Sequence, residues 1–511
     1  MSASTERKNR QAARAAGTDK KLLAAQEQAR KTSQSKLRWT LGTIAIVLLI
    51  ALIFFLDSGY LYTHTTALTI GDKSYSPAEV NYYYANEYHN FVNQYGSYAS
   101  LFGLDTSTGL AGLDEQPCSM IEDGTWRDYF LQAAERDMAQ IQAYAAYAAD
   151  NGIALDEEEI AEVDADLDAV AAQARTLGYS SADNLYAANY GNGVNSALVR
   201  QATLDSALAS KVYTTMYDSL EYSDEELEEY YQGLAGASDY FDFSLYSVDA
   251  ALEEGADAPS ETALTEAHAE AEAILTAYLD GADVADVTER FEVAVDSQAE
   301  GAVPTSRSRV SGSSVDTLYS EWLLDSARKN GDAAVFDGET GSVVVLWLSR
   351  DDNHYTTRNV RHILVKAVAG EDGSYTDEAL ETALASAQEI LAEYEAGDQT
   401  EESFATMANL YSEDEGSNTN GGLYENIYKG QMVAEFEDFC FADHKAGDTG
   451  IVYGQSSSYA GYHVMYYVGE GPLYSNLIAQ NAKRGEDLDS WNEGVMEGFE
   501  AVESGAIRRV G

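Results

Sequence analysis

The chain has 511 residues, room for several domains rather than one. With 45% hydrophobic and 11% aromatic residues it can fill sizeable cores, which excludes wholesale disorder. Its formal net charge of −55 is uneven: residues 1–38 carry ten Lys/Arg against three Asp/Glu, a net of +7, and the rest carries 21 against 83, a net of −62. A body so acidic holds neither nucleic acid nor anionic lipid by surface charge. Two cysteines, Cys118 and Cys440, are too few for a disulfide framework, although a single bridge between them stays open.

After the basic tail (1–38), Leu41 to Leu56 is almost uninterrupted apolar sequence. With Trp39 and Thr40 it reaches about 18 residues, enough for a helix to cross a bilayer core. Lys36 and Arg38 precede it, Asp57 follows, and Trp39, Tyr60 and Tyr62 flank it as interfacial aromatics. The charge asymmetry puts the N-terminus in the cytoplasm and the body outside the cell membrane, with 39–56 as an uncleaved single-pass signal anchor. A cleaved signal peptide fits less well, because no small-x-small site follows Leu56.

A short strand-like start at 67–76 leads into helical patterns through 77–235. Thr125 and Asp128 cap a helix whose apolar residues run Trp126, Phe130, Ala134, Met138, Ile141, Ala145 and Ala148, and Gly152 closes it. Asp156 with Glu159 starts another, through Ile160, Val163, Leu167, Val170, Ala174 and Leu177. Leu198 to Leu220 gives a third, and Ser223 with Glu226 caps a fourth. Such stripes face a core by default. The acidic helix starts are solvated and favoured by the helix dipole. The 36 tyrosines supply amphipathic surface suited to gripping unfolded chains, or simply to half-buried packing.

The order of these pieces, with Asn151-Gly152-Ile153 ahead of the acidic cap and Ser223-Asp224-Glu225-Glu226-Leu227-Glu228-Glu229-Tyr230-Tyr231 at the close, resembles the N-terminal chaperone region of SurA- and PrsA-type foldases. The resemblance implies a helical chaperone domain over 67–236.

Two later stretches share an order of elements. In 237–352, Asp239–Val248 stands where Asn359–Val365 stands in 355–471; helices follow at Thr265–Leu279 and Asp377–Glu395, then short ones at Val284–Phe291 and Ser403–Leu410. This reads as an internal duplication. Only the second half carries histidines on its first and last strands, His362 and His463. In the first half, Phe243 or Leu245 stands for the one and Val344 or Val345 for the other.

The second half resembles a parvulin-type peptidyl-prolyl isomerase. Its blocks are Arg361-His362-Ile363-Leu364-Val365, Tyr411-Ser412-Glu413-Asp414, Gly421-Gly422-Leu423, Gln431-Met432-Val433-Ala434-Glu435-Phe436-Glu437 and Gly461-Tyr462-His463, in the family's order. The resemblance implies catalytic roles for His362, Asp414 and His463, and a substrate shelf of Leu423, Met432 and Phe436, with a hydroxyl from Ser458. The family's "G-G-D-L-G" is altered here to Gly421-Gly422-Leu423-Tyr424-Glu425-Asn426, so the turn toward the shelf is reshaped. Rotating an X–Pro amide crosses a barrier of about 18–20 kcal/mol without breaking a covalent bond, so no metal, nucleotide or nucleophile is required. A twelve-residue acidic span, Asp414 to Glu425, hints at a calcium loop, but Thr419 sits where the sharp turn wants glycine. No phosphate-binding glycine loop, H-E-x-x-H or nucleophile elbow occurs.

A last helical pattern, Ser475 to Val502 within 472–511, implies by the same resemblance a C-terminal segment packed back on the helical domain through Trp491. The expected architecture is therefore α+β and multidomain: one transmembrane helix, a SurA-like helical domain, a degenerate parvulin-like domain, a parvulin domain and a closing helix. The expected activity is a membrane-anchored, extracytoplasmic isomerase and chaperone for newly exported polypeptides with X–Pro bonds. A catalytically silent holdase and an envelope assembly scaffold are the alternatives, and the oligomeric state stays open.

Overall fold

The computed structural model describes residues 3–17, 39–50, 59–281, 291–293, 309–371 and 373–511. Residues 39–50 are helical, and their side chains are exposed. Among the described residues no helix is long and apolar enough to cross a membrane. The expected span continues through 51–56, which lie outside the described residues, as do 18–38 of the basic tail. The chain forms two compact units, Met1–Ser219 with Leu488–Gly511, and Leu220–Asp487.

In the first unit, the helices Pro77–Tyr95, Trp126–Asn151 and Ser196–Ser219 enclose one aromatic core. Thr125 and Asp128 form the expected capping box, as do Asp156 with Glu159. Each box satisfies amide groups that the first helical turn leaves without partners. Trp126 is then driven fully inward, against Phe91 and Phe130 at 5.1 and 5.5 Å between ring centres. The helix Glu157–Thr176 holds its expected stripe only half-buried, with Leu167 and Val170 packed against a second, smaller cluster. Only Ala174 is buried, and Leu177, just beyond its end, is 58% exposed.

The C-terminal pattern also differs from expectation. The helix Tyr474–Met496 stops well short of Val502, and Gly498 takes a φ of +86°. That left-handed turn, open to glycine at no steric cost, reverses the chain. Ala501–Glu503 then pairs antiparallel with Leu68–Ile70, which also pairs with Lys73–Tyr75. Trp491 packs on Tyr144 and Tyr147 at 5.1 and 5.3 Å. Arg127 donates to the carbonyls of Ile507 and Val510 at 2.9 and 3.0 Å.

The second unit holds two sheets. One orders its strands Phe291–Val293, Tyr240–Asp249, Gly341–Asp351, Ala333–Asp337; the other orders Leu423–Ile427, Thr356–Lys366, Ala460–Leu473, Thr449–Gln455. Both are antiparallel, and in each the long central pair carries a register shift. It falls between Asp242 and Phe243 in the first sheet and between Asn359 and Val360 in the second, whose pair has a further shift between Thr356 and Arg358. Superposing those bulges sets Phe243–Trp347 over Val360–Tyr467. Leu245 and Val343 then stand where His362 and His463 stand. In this register Val343, rather than Val344 or Val345, takes the position of His463. The expected short helix Val284–Phe291 falls mainly on residues outside those described, and Phe291 itself opens a strand.

Side chains alternate across the second sheet. Ile363, Val464 and Tyr466 point to the helices Asp377–Ala396 and Glu401–Tyr411, while Val360, Met465 and Tyr467 point to the helix Ala434–Phe441. By the same alternation His362 and His463 lie on the second of these faces. Cys118 and Cys440 are both buried free thiols.

Candidate active site

His362 pairs with Met465 and His463 with Leu364 across the central strands, so the two imidazoles are diagonal neighbours on one face. Both are only 3% exposed. Their Nδ1 atoms lie 2.9 Å apart. On the far side of His362, Nε2 meets Asp414 Oδ2 at 2.9 Å and Ser417 Oγ at 3.1 Å. Ser417 and Tyr424 donate their own hydroxyls to the same carboxylate oxygen, at 2.5 and 3.1 Å. On the far side of His463, Nε2 meets the Tyr459 hydroxyl at 3.0 Å.

With both rings uncharged, one assignment from the network satisfies every atom. Tyr459 donates to His463 Nε2, His463 Nδ1–H donates to His362 Nδ1, and His362 Nε2–H donates to Asp414. Charge follows the same order. Hydrogen bonding from His362, then from Ser417 and Tyr424, holds the Asp414 carboxyl well below its usual range against the opposing effect of burial. Burial first, then the neighbouring His362 ring, pushes His463 down to about 3, although Asp414 pulls the other way. Burial and the Asp414 charge push the Tyr424 phenol up to about 12, so it stays a donor.

Two glycine features make room for this network. Gly421 and Gly422 have φ of +77° and +69°, and a Cβ on Gly422 would stand 2.2 Å from the His362 carbonyl oxygen. The pair turns the chain so that Gly422 O accepts the His362 amide at 2.8 Å. On the neighbouring strand, a Cβ on Gly454 would stand 2.4 Å from His463 Nε2. Its absence leaves room for the ring and its bond to Tyr459.

The apolar wall is Phe436, 3% exposed, whose ring meets His362 at 5.4 Å and His463 at 5.2 Å, both edge-on. Met432 packs half-buried on the same cluster. Leu423 does not join it. It pairs with Arg361, and so follows Arg361 to the face covered by Asp377–Ala396 and Glu401–Tyr411. Tyr424, paired with Val360, follows Val360 to the histidine face and lies 5.3 Å from His362 and 6.4 Å from Phe436. The side chain this strand places beside His362 and Phe436 is therefore Tyr424, the fourth position of the altered glycine block. Ser458 is also displaced: it is exposed and its hydroxyl bonds Ser456 at 3.0 Å. The hydroxyl that reaches the pair comes one residue later, from Tyr459.

Sequence reasoning missed Ser417, Tyr424, Gly454 and Tyr459. Only Gly454 carried a signal, as a glycine inside an otherwise apolar strand. Within the span Asp414–Glu425, the Asp414 carboxylate is engaged by His362, Ser417 and Tyr424.

Residues 347–467 match the family model of the PPIC-type PPIase domain. This stretch is a parvulin-type peptidyl-prolyl isomerase domain. No curated protein matches the chain. Among solved structures, it is similar to the peptidylprolyl isomerase PrsA of Bacillus anthracis, at 21% identity over 29% of this chain and 60% of that one, with a TM-score of 0.18. PrsA of Bacillus cereus gives 23% identity over 30% and 55%, with a TM-score of 0.19. The foldase protein PrsA of Streptococcus pneumoniae gives 9% identity over 74% and 88%, with a TM-score of 0.27. The chain thus spans little more than half the length of the two Bacillus proteins it matches.

Proposed function

We propose that the chain is an extracytoplasmic, membrane-anchored foldase that isomerises X–Pro bonds in unfolded polypeptides and holds such chains on its helical unit. The observation that carries the isomerase reading is the buried line Tyr459–His463–His362–Asp414, set beside Phe436 and Met432. Rotation about the prolyl bond strips the amide of its resonance, and unaided it takes tens to hundreds of seconds. A catalyst must hold the twisted amide better than either planar form. Phe436, Met432 and Tyr424 supply an apolar seat for the proline ring. The paired, buried imidazoles supply a dry and rigid floor, and Asp414 orients the His362 ring. In this reading the histidines position and desolvate rather than exchange protons with the substrate.

The domain reading is that residues 67–236 form the chaperone region, 237–352 a parvulin copy without its histidines, and 355–471 the working copy. The shared strand order and bulge support the duplication. The anchor reading rests on the apolar run 39–56, whose described part, 39–50, is an exposed helix.

One observation favours a binding-only protein: Tyr424 puts a bulky phenol, tied to Asp414, into the shelf. Prolyl exchange in a short X–Pro peptide separates the readings. The parent chain is expected to speed exchange, and His463→Ala to lose most of that rate. A parent that suppresses client aggregation without speeding exchange would make the chain a holdase.

A further inference from the structure

The candidate shelf depends on a loop. Met432 lies between the strand Leu423–Ile427 and the helix Ala434–Phe441, in a segment without regular structure. Such a segment needs outside support to hold a side chain to the tolerance a binding site requires. Part of that support is local. Gly430 N donates to Glu437 Oε2 at 2.5 Å, and Tyr428 N donates to Gln431 Oε1 at 3.1 Å.

The rest comes from the sheet that lacks histidines. Asp351, the last residue of its long strand, accepts Arg309 Nη1 at 2.7 Å and Lys429 Nζ at 3.5 Å. The Arg309 guanidinium lies over the Tyr240 ring, 4.1 Å from its centre. Its Nε is 3.0 Å from where a Cβ on Gly430 would stand, and Gly430 takes a φ of +83°, a backbone conformation that favours glycine. The Lys429 amide donates to the Tyr355 hydroxyl at 3.1 Å, while its ammonium sits 4.1 Å above the same ring. Tyr428 stacks on Tyr474 at 4.5 Å and 10°. Tyr240, Arg309, Asp351, Tyr355 and Lys429 border a cavity of about 620 Å³ between the two sheets, on the flank of the shelf loop.

The two arms of this contact differ in strength. Arg309 and Asp351 are 13% and 22% exposed at close range, whereas Lys429 is 39% exposed and farther off. The first pair is shielded enough to act as a fixed post; the second is worth less, as exposed pairs are. Asp351 is thereby held by its own sheet and offered to the loop.

We propose that the histidine-less sheet braces the proline shelf: Asp351, seated by Arg309 and reaching Lys429, positions the Tyr428–Val433 loop and so sets how tightly the isomerase site holds its substrate. Asp351 is a positioning residue, since it acts through Lys429 and Met432. This rests on the isomerase reading above and gives the first sheet a task in it.

The test compares the full chain with Asp351→Asn, Asp351→Glu and Lys429→Met. Prolyl exchange in an X–Pro peptide is followed over a range of peptide concentrations, and amide hydrogen exchange is followed at 428–433 and 362–366. Asp351→Asn and Lys429→Met are expected to raise KM about three- to tenfold with a smaller change in kcat. Amides 429 and 430 should exchange faster while 362–366 stay protected, and Asp351→Glu should restore both readouts. Parental KM and parental exchange in both Asp351→Asn and Lys429→Met would overturn the brace. So would loss of protection spread evenly over the whole second sheet in both. Lys429→Met leaves the Arg309–Asp351 pair intact, so it decides the matter if Asp351→Asn fails to fold. A parent without isomerase activity would instead sink the isomerase reading, and the amide exchange would still judge the brace.

Discussion

His362 and His463, 101 residues apart in the chain, share a hydrogen bond between their Nδ1 atoms at 2.9 Å inside a sheet that leaves each 3% exposed. Each ring thereby dictates the tautomer of the other. The outer atoms of the pair are settled by Asp414 at one end and Tyr459 at the other.

Tyr459→Phe removes the end of this line. His463 Nε2 loses its donor at a mostly buried site, which costs about 1 kcal/mol of stability. Prolyl exchange is expected to slow because the His463 tautomer is no longer set. Chemical denaturation and peptide exchange on the same preparation check both effects. Unchanged turnover would show that Asp414 alone orders the pair.

Gly454→Ala places a Cβ into the space occupied by His463 Nε2. Overpacking of this kind costs about 1–3 kcal/mol, and the ring must leave the line to Tyr459. Isomerase activity should fall far more than the melting temperature. A variant as active as the parent would show that the ring has freedom the structure does not suggest.

The pH dependence of the isomerase domain follows from His463. Its ordinary value of 6.5 is pushed down to about 3, so the unfolded chain binds the proton first. The stabilising contribution is complete above pH 6.5 and is lost as pH falls toward about 3. Asp414, also held low, adds a loss in the same direction at still more acid pH. Urea denaturation between pH 7 and 4, read from amide protection at 362–366, should show this slope. His463→Gln should flatten it.

The first unit carries the opposite slope. Burial, then the Glu503 carboxyl, push Glu135 up to about 7 from 4.5. A raised carboxyl stabilises fully below 4.5, and that stability is lost as pH rises through about 7. Glu135→Gln keeps the uncharged form at every pH, so it should raise the melting temperature at pH 8 more than at pH 5. An equal shift at both would mean that the carboxyl is not held neutral.

Much of the candidate site was legible before any fold was known. His362, Asp414, Met432, Phe436 and His463 sit in blocks whose order carries the resemblance, and the structure brings them within contact of one line. Beside the histidines the structure places the next residue along, Tyr424 after Leu423 and Tyr459 after Ser458. The altered glycine block does not say which of Leu423 and Tyr424 takes the shelf, since a strand sends neighbours to opposite faces. The polar run Ser456–Ser458 similarly drew attention away from Tyr459, whose longer side chain spans the distance. The capped helices were legible because their signals are local. The closing strand Ala501–Glu503 was not, because its partner lies at Leu68–Ile70, more than four hundred residues earlier.

By itself the sequence determined what depends on spacing and composition: an acidic body behind a basic tail, capped amphipathic helices, and a parvulin order of blocks ending in the second histidine. Only the tertiary structure decided which hydroxyls reach the imidazoles and that Tyr424, not Leu423, lies beside them. It also decided that the shelf loop leans on Asp351 of the other sheet. Those are matters of register, bulge and side-chain reach between distant segments, and a one-residue shift in any of them exchanges one face for the other.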